Sequence, residues 1–439
     1  MKQRTSFVCQ QCGNEFGSWF GKCPSCGEWN SLIETSRITG SSKSDPSTSL
    51  RKNLQVEPKK LTEIKRIISK RLKTGYGELD RVLGGGIVPG EVVLVAGDPG
   101  VGKSTLLLAL LGKIGGWYVT GEESAEQVKL RADRLKITNE NLFILPETNL
   151  DSVVASLDKL TTLPPVLVID SIQTMYTENL EGAAGSVGQI RETSQILIAL
   201  AKQKQIPVFI VGHVTKEGNI AGPKLLEHMV DVVCYFEGDK YYQGRILRTF
   251  KNRFGPTDEV GIFEMGEIGL NEIDNPSKLF LEGRVKNVSG STVGVTLEGT
   301  RPLLVEIQSL VVSSQLPMPR RVANGYDYNR LQMILAILQK RLNLPLGTFD
   351  VFVNVSGGLK LKEPATDLPI ALSIVSAFKN IALPDKLASF GELGLLGELR
   401  RVQGEVVRHK EAKRLGFTTI ISPEKYQTLM KVAKEILGR

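Results

Sequence analysis

The sequence contains no apolar run approaching the ~20 residues that a membrane-spanning helix needs, so no helical membrane segment is expected. It has no apolar stretch near its start either. Met1-Lys2-Gln3-Arg4-Thr5 leads toward cysteine, so no signal peptide and a cytoplasmic setting are expected. Cysteine is scarce, five in 439 residues, and a reducing compartment disfavours reading them as disulfides. Excess charge is absent from most of the chain. The net charge is +8, and Arg51–Lys73 alone carries +7, from nine Lys and Arg against two Glu, which leaves the remainder at +1. That segment reads equally as a solvated linker helix or as a contact for a polyanion such as nucleic acid. Hydrophobic content of 41% and charged content of 23% are ordinary for a globular protein, and the length suffices for two or three domains.

What is present begins with Gly97-Asp98-Pro99-Gly100-Val101-Gly102-Lys103-Ser104-Thr105, which satisfies the P-loop pattern G-x-x-x-x-G-K-[ST]. A β-rich run, Val92–Ala96, precedes it, and a helical run from Thr105 to Leu111, ending at Gly112, follows. Glycines let backbone N–H groups turn toward phosphate oxygens, and the helix N-terminus adds partial positive charge. Lys103 is expected to reach the β- and γ-phosphates of ATP and the Ser104 hydroxyl to ligate Mg²⁺.

Cys9-Gln-Gln-Cys12 and Cys23-Pro-Ser-Cys26 form two C-x₂-C knuckles ten residues apart. This spacing predicts a four-thiolate Zn²⁺ site, because so short a segment cannot hold a core without the metal. Trp19, Phe20 and Trp29 are expected to pack the knuckle, base stacking being the other reading. Cys234, alone in an apolar run, is expected in the core. Thr35–Ser49 reads as a flexible linker.

From Glu91 to about Leu270 strands and helices alternate, which predicts a mostly parallel sheet flanked by helices. Strands are expected at Trp117–Thr120, Leu142–Leu145, Val166–Asp170 and Val208–Val211. Asp170, at a strand end beyond a P-loop, is placed to serve the Mg²⁺ shell. Glu122 and Glu123 could orient the attacking water or simply charge a helix start. His213, Thr215 and Lys216 follow a strand end and fall near the γ-phosphate, with a structural histidine as the alternative. After strand Arg245–Phe250, Lys251 and Arg253 suit a phosphate contact or an arginine finger offered to a neighbouring subunit, although the pattern alone is that of an exposed turn. Beyond Asn275, strand-like pieces (Leu279–Val285, Val293–Thr296, Leu303–Ile307) precede a helix over Tyr328–Leu342, a strand over Phe349–Val355 and a helix near Asp367–Phe378. This is a separate α+β domain.

The order of zinc knuckle, P-loop core, Lys251-Asn252-Arg253-Phe254-Gly255 and α+β domain resembles the bacterial RadA (Sms) family of DNA repair proteins over essentially the whole chain, the pentapeptide being the most specific piece. The core is similar to the RecA/DnaB/KaiC group and the C-terminal domain to the Lon proteolytic domain. The implied division is a zinc finger over 1–34, a basic linker over 35–58, a RecA-like ATPase core over 59–274 and a Lon-like domain over 275–439. The resemblance implies a ring, as a hexamer, with ATP and Mg²⁺ between subunits. It also implies an activity: a DNA-dependent ATPase of helicase type that drives branch migration in recombinational repair by translocating on single-stranded DNA. The implied partners are single-stranded and branched DNA and a RecA-type recombinase, with no membrane. Gly97–Thr105 match the phosphate loop, Asp170 the Walker B acid and Glu122 or Glu123 the catalytic glutamate. Lys251 and Arg253 match a trans-acting pair. Lys216 and Lys224 fall where a DNA-facing loop is expected, and Asn252, Phe254 and Gly255 join them as DNA candidates.

The Lon-like segment departs from its counterpart. Glu363-Pro364-Ala365-Thr366-Asp367 has alanine where the protease has its serine, and Val402–Val406 offers no lysine. Peptide hydrolysis then lacks a nucleophile and base. The expected domain is a scaffold, with Lys340, Arg341, Lys360, Lys362, Arg400 and Arg401 as candidate DNA contacts. The alternative to a motor is a KaiC-like nucleotide-gated scaffold that binds DNA and a recombinase.

Overall fold

The computed structural model describes residues 2–9, 14–25, 27–39, 71–213, 221–238, 244–273 and 275–438. Cys12, Cys26, Thr215, Lys216, the side chain of Lys224 and nearly all of the basic segment lie outside the described residues. Two compact units divide between Glu272 and Ile273.

The first unit opens with a three-stranded sheet in which β1 (Lys2–Cys9) pairs with β2 (Glu15–Phe16) on one side and with β3 (Leu32–Thr39) on the other. Strand β3 runs on to Thr39 because Lys2 pairs with that residue, so the start of the expected linker is strand.

A nine-stranded sheet follows. Its strands are β4 (Val92–Gly97), β5 (Gly116–Thr120), β6 (Leu142–Pro146), β7 (Leu167–Asp170), β8 (Val208–His213), β9 (Val232–Gly238), β10 (Gly244–Asn252), β11 (Val260–Met265) and β12 (Leu270–Glu272), in the order β12-β11-β10-β9-β4-β8-β7-β5-β6. The run from β9 to β6 is parallel, and β10 to β12 extend it antiparallel. One strand, β8, therefore separates the P-loop strand from the strand that ends in Asp170, as in RecA-like cores. The apolar runs of β4, β7 and β8 are continuous because both faces are covered. Period-2 alternation sorts them: Val93 and Val95 pack in one core cluster, while Val92, Leu94 and Ala96 pack in the other.

Helix α1 (Gly77–Val82) and α2 (Lys103–Ile114) lie on the first face; α4 (Leu150–Asp158) and α5 (Val187–Lys204) lie on the second. Helix α2 passes through Gly112 instead of stopping there. A Cβ at this glycine would come within 2.8 Å of Ile137, so the residue serves close packing and not termination. Helix α3 (Ala125–Arg134) starts in a capping box between Ser124 and Gln127, and α6 (Ala221–Met229) leads into β9. Cys234 is buried in β9, as expected.

The second unit holds a six-stranded sheet of β13 (Ser291–Glu298), β14 (Arg301–Ser313), β15 (Arg321–Asn324), β16 (Phe349–Val355), β17 (Leu387–Ser389) and β20 (Thr419–Ile421), with a small hairpin of β18 (Glu392–Leu393) and β19 (Leu399–Arg400). Its helices are α7 (Pro276–Leu281), α8 (Tyr328–Leu342), α9 (Asp367–Lys379), α10 (Glu405–Arg414) and α11 (Leu429–Leu437). The strand expected over Leu279–Val285 is instead the end of α7 and a turn. Proline at a first helical position, with the fixed φ that suits a helix start, overrides the apolar run.

Candidate active site

Strand β4 delivers the phosphate loop. Gly97 and Gly102 adopt φ of 153° and 113°, and a Cβ at Gly97 would sit 2.3 Å from the Phe236 carbonyl oxygen, so the turn tolerates no side chain there. Gly100 faces open space, with nothing within 4 Å of where a Cβ would lie. Helix α2 starts at Lys103, whose Nζ donates to the Gly97 and Asp98 carbonyls at 2.8 and 2.9 Å. Burial draws its ammonium below the ordinary lysine range, against the pull of Asp170, Asp98 and Glu122. Those three carboxylates therefore surround the same cation.

Parallel register brings the acids in. Thr120 at the end of β5 lies beside Asp170 at the end of β7. Asp170 is buried, and Tyr118 from β5 donates its hydroxyl to Asp170 Oδ2. Glu122 and Glu123 occupy the turn between β5 and the capped start of α3, and they part there. Ser171 Oγ donates to Glu122 Oε1 at 2.5 Å, and His213 Nε2 lies 3.6 Å from the same oxygen. Glu123 turns away to the Arg131 guanidinium on α3, and its backbone is tied to Thr120. Burial and nearby Lys103 lower the His213 pKa, which disfavours a charged ring beside Glu122. Arg245, buried on β10, donates to the Val101 carbonyl at 3.2 Å and braces the loop from two strands away.

The cradle, the ammonium and a hydroxyl with a carboxylate fit a nucleoside triphosphate and a hard, oxygen-seeking Mg²⁺. Sequence reasoning overlooked Tyr118, Ser171 and Arg245. Ser171 follows the acid directly and could have been flagged. Tyr118 and Arg245 read as ordinary strand positions, because only sheet register shows what lies beside them.

Lys251 and Arg253 are elsewhere. Lys251 and Asn252 are in β10 itself, not in a turn after it. Asn252 pairs with Val232, whereas Gly97 pairs with Phe236, so the pentapeptide lies four residues down β9, ~13 Å along the strands, from the mouth of its own P-loop. Lys251 Nζ donates to the Glu227, His228 and Val230 carbonyls at 2.8–3.2 Å, capping the end of α6. Arg253 Nη1 lies 3.2 Å from Asp231 Oδ1, and its side chain is 55% exposed. Phe254 carries Lys202 over its ring and offers its carbonyl to Arg71. Gly255 packs against Gly84 so closely that a Cβ at position 255 would lie 3.0 Å from the Gly84 Cα.

In the small sheet Cys9 and Cys23 are buried in one cluster with Leu32, Phe7 and Phe16. Each sits on a similar turn: Cys9 N donates to the Asn14 carbonyl at 3.0 Å and Cys23 N to the Glu28 carbonyl at 2.8 Å. Two buried thiols in one cluster, each on a similar turn, suit a thiolate site for Zn²⁺, and the other two cysteines of the expected set, Cys12 and Cys26, lie outside the described residues. Trp19 and Trp29 do not pack this knuckle as expected. They are 54% and 67% exposed, and the small core is built without them on Cys9, Cys23, Leu32 and two phenylalanines.

In the second unit Ala365 is buried in the turn before α9. Arg408, also fully buried, holds Glu363 in a bidentate pair at 2.7 and 2.5 Å and donates to the Val295 carbonyl at 2.6 Å. Among the outlying cations, Arg400 is paired with Glu398 and Arg341 donates to the Leu395 carbonyl.

Fold and site together define a RecA-like P-loop ATPase with an N-terminal zinc ribbon and a C-terminal Lon-like domain. Residues 7–34 match the rubredoxin metal-binding domain, residues 58–219 the AAA domain, and residues 330–426 subunit ChlI of Mg-chelatase. The chain is 48% identical to DNA repair protein RadA of Listeria monocytogenes, covering 99% of this chain and 95% of that one, and 47% identical to DNA repair protein RadA of Bacillus subtilis, covering 96% and 93%. It belongs to the RadA family of DNA repair proteins. Among solved structures it is similar to the RadB recombinase (24% identity, TM-score 0.38, 46% of this chain and all of that one) and to the ATPase domain of G40P (16% identity, TM-score 0.39, 46% and 90%). Among the described residues no helix is long and apolar enough to cross a membrane.

Proposed function

We propose that this chain is an ATP-driven motor on single-stranded DNA, acting with a RecA-type recombinase to promote branch migration in recombinational repair, as a ring of six subunits. The observation that carries this reading is the separation of the Lys251/Arg253 pair from its own P-loop by ~13 Å of strand, on the far end of the same sheet. Cations so placed can serve a nucleotide only on a neighbour. Lys103 binds the β- and γ-phosphates, and Ser104 and Asp170 hold Mg²⁺, whose charge draws electron density from the transferring phosphoryl group. Glu122, steered by Ser171, orients the attacking water. Arg253 of the adjacent subunit stabilises charge that develops as the phosphate leaves. The Lon-like domain acts as a scaffold and not a protease. The Glu363–Arg408 pair sits beside the position of the missing nucleophile, and Ala365 cannot supply one.

ATP hydrolysis measured with and without single-stranded DNA at two salt concentrations tests this. Stimulation that weakens as salt rises is expected, because the track is a phosphate backbone, and Lys103→Ala is expected to abolish turnover. Turnover that ignores DNA at both salts would favour a nucleotide-gated scaffold.

A further inference from the structure

Tyr118 is fully buried in β5. A buried phenol hydroxyl needs a partner, and this one donates to Asp170 Oδ2. Asp170 stands at the end of β7, so a phenol from the adjacent strand holds one oxygen of the acid.

A carboxylate that serves a cation's shell does better with a fixed orientation. Tyr118 meets that need. Its proton occupies Asp170 Oδ2, which leaves Oδ1 for the shell. Phenylalanine would fill the same space and make the same apolar contacts. The hydroxyl is the one feature that packing does not explain.

We infer that Tyr118 is a positioning residue for the divalent cation that accompanies ATP, holding Asp170 Oδ2 so that Oδ1 faces the metal. This rests on reading Ser104 and Asp170 as the cation's holders, and the test separates the two claims. Full-length protein with ADP is titrated with Mn²⁺, and bound metal is followed by electron paramagnetic resonance. Tyr118→Phe is expected to weaken Mn²⁺ binding about tenfold, the lower end of what losing an outer-shell partner costs. Nucleotide affinity in EDTA and the unfolding temperature are expected to stay near those of the parent. Excess metal should recover much of the lost turnover. Unchanged Mn²⁺ affinity in Tyr118→Phe would overturn the inference, provided Asp170→Asn weakens binding in parallel. If Asp170→Asn also leaves Mn²⁺ affinity unchanged, the assignment of the cation site itself fails, and the role of Tyr118 with it. If Tyr118→Phe does not fold, 4-fluorophenylalanine at position 118 keeps the ring and fills the hydroxyl's space without a donor, and the same tenfold loss decides. As a further check, Tyr118→Phe in the Asp170→Asn background should add nothing to the loss of metal affinity. Additive losses would place Tyr118 outside the path through Asp170.

Discussion

Glu122 and Glu123 differ in what surrounds them. Glu122 accepts a hydrogen bond from Ser171 and lies near His213 and the Lys103 ammonium, whereas Glu123 is paired with Arg131 on α3. A water-orienting carboxylate must face the phosphate loop, and only the first does. Glu122→Gln is therefore expected to lower steady-state ATP turnover by roughly 10²–10⁴-fold, the usual worth of a positioned base. Glu123→Gln is expected to lower it less than about tenfold, through a loosened α3 start. Comparable losses in the two variants would show that the turn moves as one unit. At the same scale Asn252 illustrates how a residue can matter to a motif without touching ligand: its Oδ1 accepts the Phe254 N–H at 2.8 Å and sets the turn that carries Arg253.

Where β4 enters from its preceding turn, two acids meet. Glu91 is buried with no side-chain partner for its carboxyl oxygens among the described residues, and burial raises its pKa to about 8, while Asp231 beside β9 accepts from Val92 N, Lys202 and Arg253. Glu91 is raised above its unfolded value, so no penalty exists below the unfolded pKa. Stability is then lost progressively as pH rises from about 4.5 toward about 8, where the folded form gives up its proton. Glu91→Gln is expected to unfold at the same temperature as the parent near pH 4.5 and at a higher one at pH 8, by several degrees, as a few kcal/mol implies. Thermal unfolding across that range checks it; parallel curves would mean Glu91 carries no proton in the fold. Linked through Asp231, this element also holds the base of the Arg253 turn, and Lys251 locks the same turn to α6.

For the whole molecule, the proposed service of a neighbour's nucleotide by the Lys251/Arg253 pair predicts complementation between subunits. In a head-to-tail ring each interface joins one subunit's loop to another's pair. Lys103→Ala subunits keep Arg253, and Arg253→Ala subunits keep the loop. Each variant alone is expected to be nearly inactive. An equal mixture, exchanged and reassembled, is expected to recover hydrolysis at about a quarter of its interfaces, the share that random pairing gives in such a ring. Activity no greater than the sum of the two would place Arg253 outside the neighbour's site.

The chemistry was legible in the linear sequence wherever a function needs contiguous backbone. A phosphate cradle must be one loop, so Gly97–Thr105 declared itself; a thiolate knuckle must be one turn, so Cys9 and Cys23 did too. The parallel core followed from runs such as Val92–Ala96 and Val166–Asp170, whose apolar continuity only a two-sided burial accounts for. The tertiary structure alone decided what depends on neighbours across the sheet. It turned Glu122 toward Lys103 and Glu123 toward Arg131, and set the Tyr118 hydroxyl on Asp170. It carried Lys251 and Arg253 to the far end of the sheet, and buried Arg408 on Glu363 beside Ala365. The physical reason is that adjacent strands come from distant segments: their register fixes which side chains meet, and no local pattern records it.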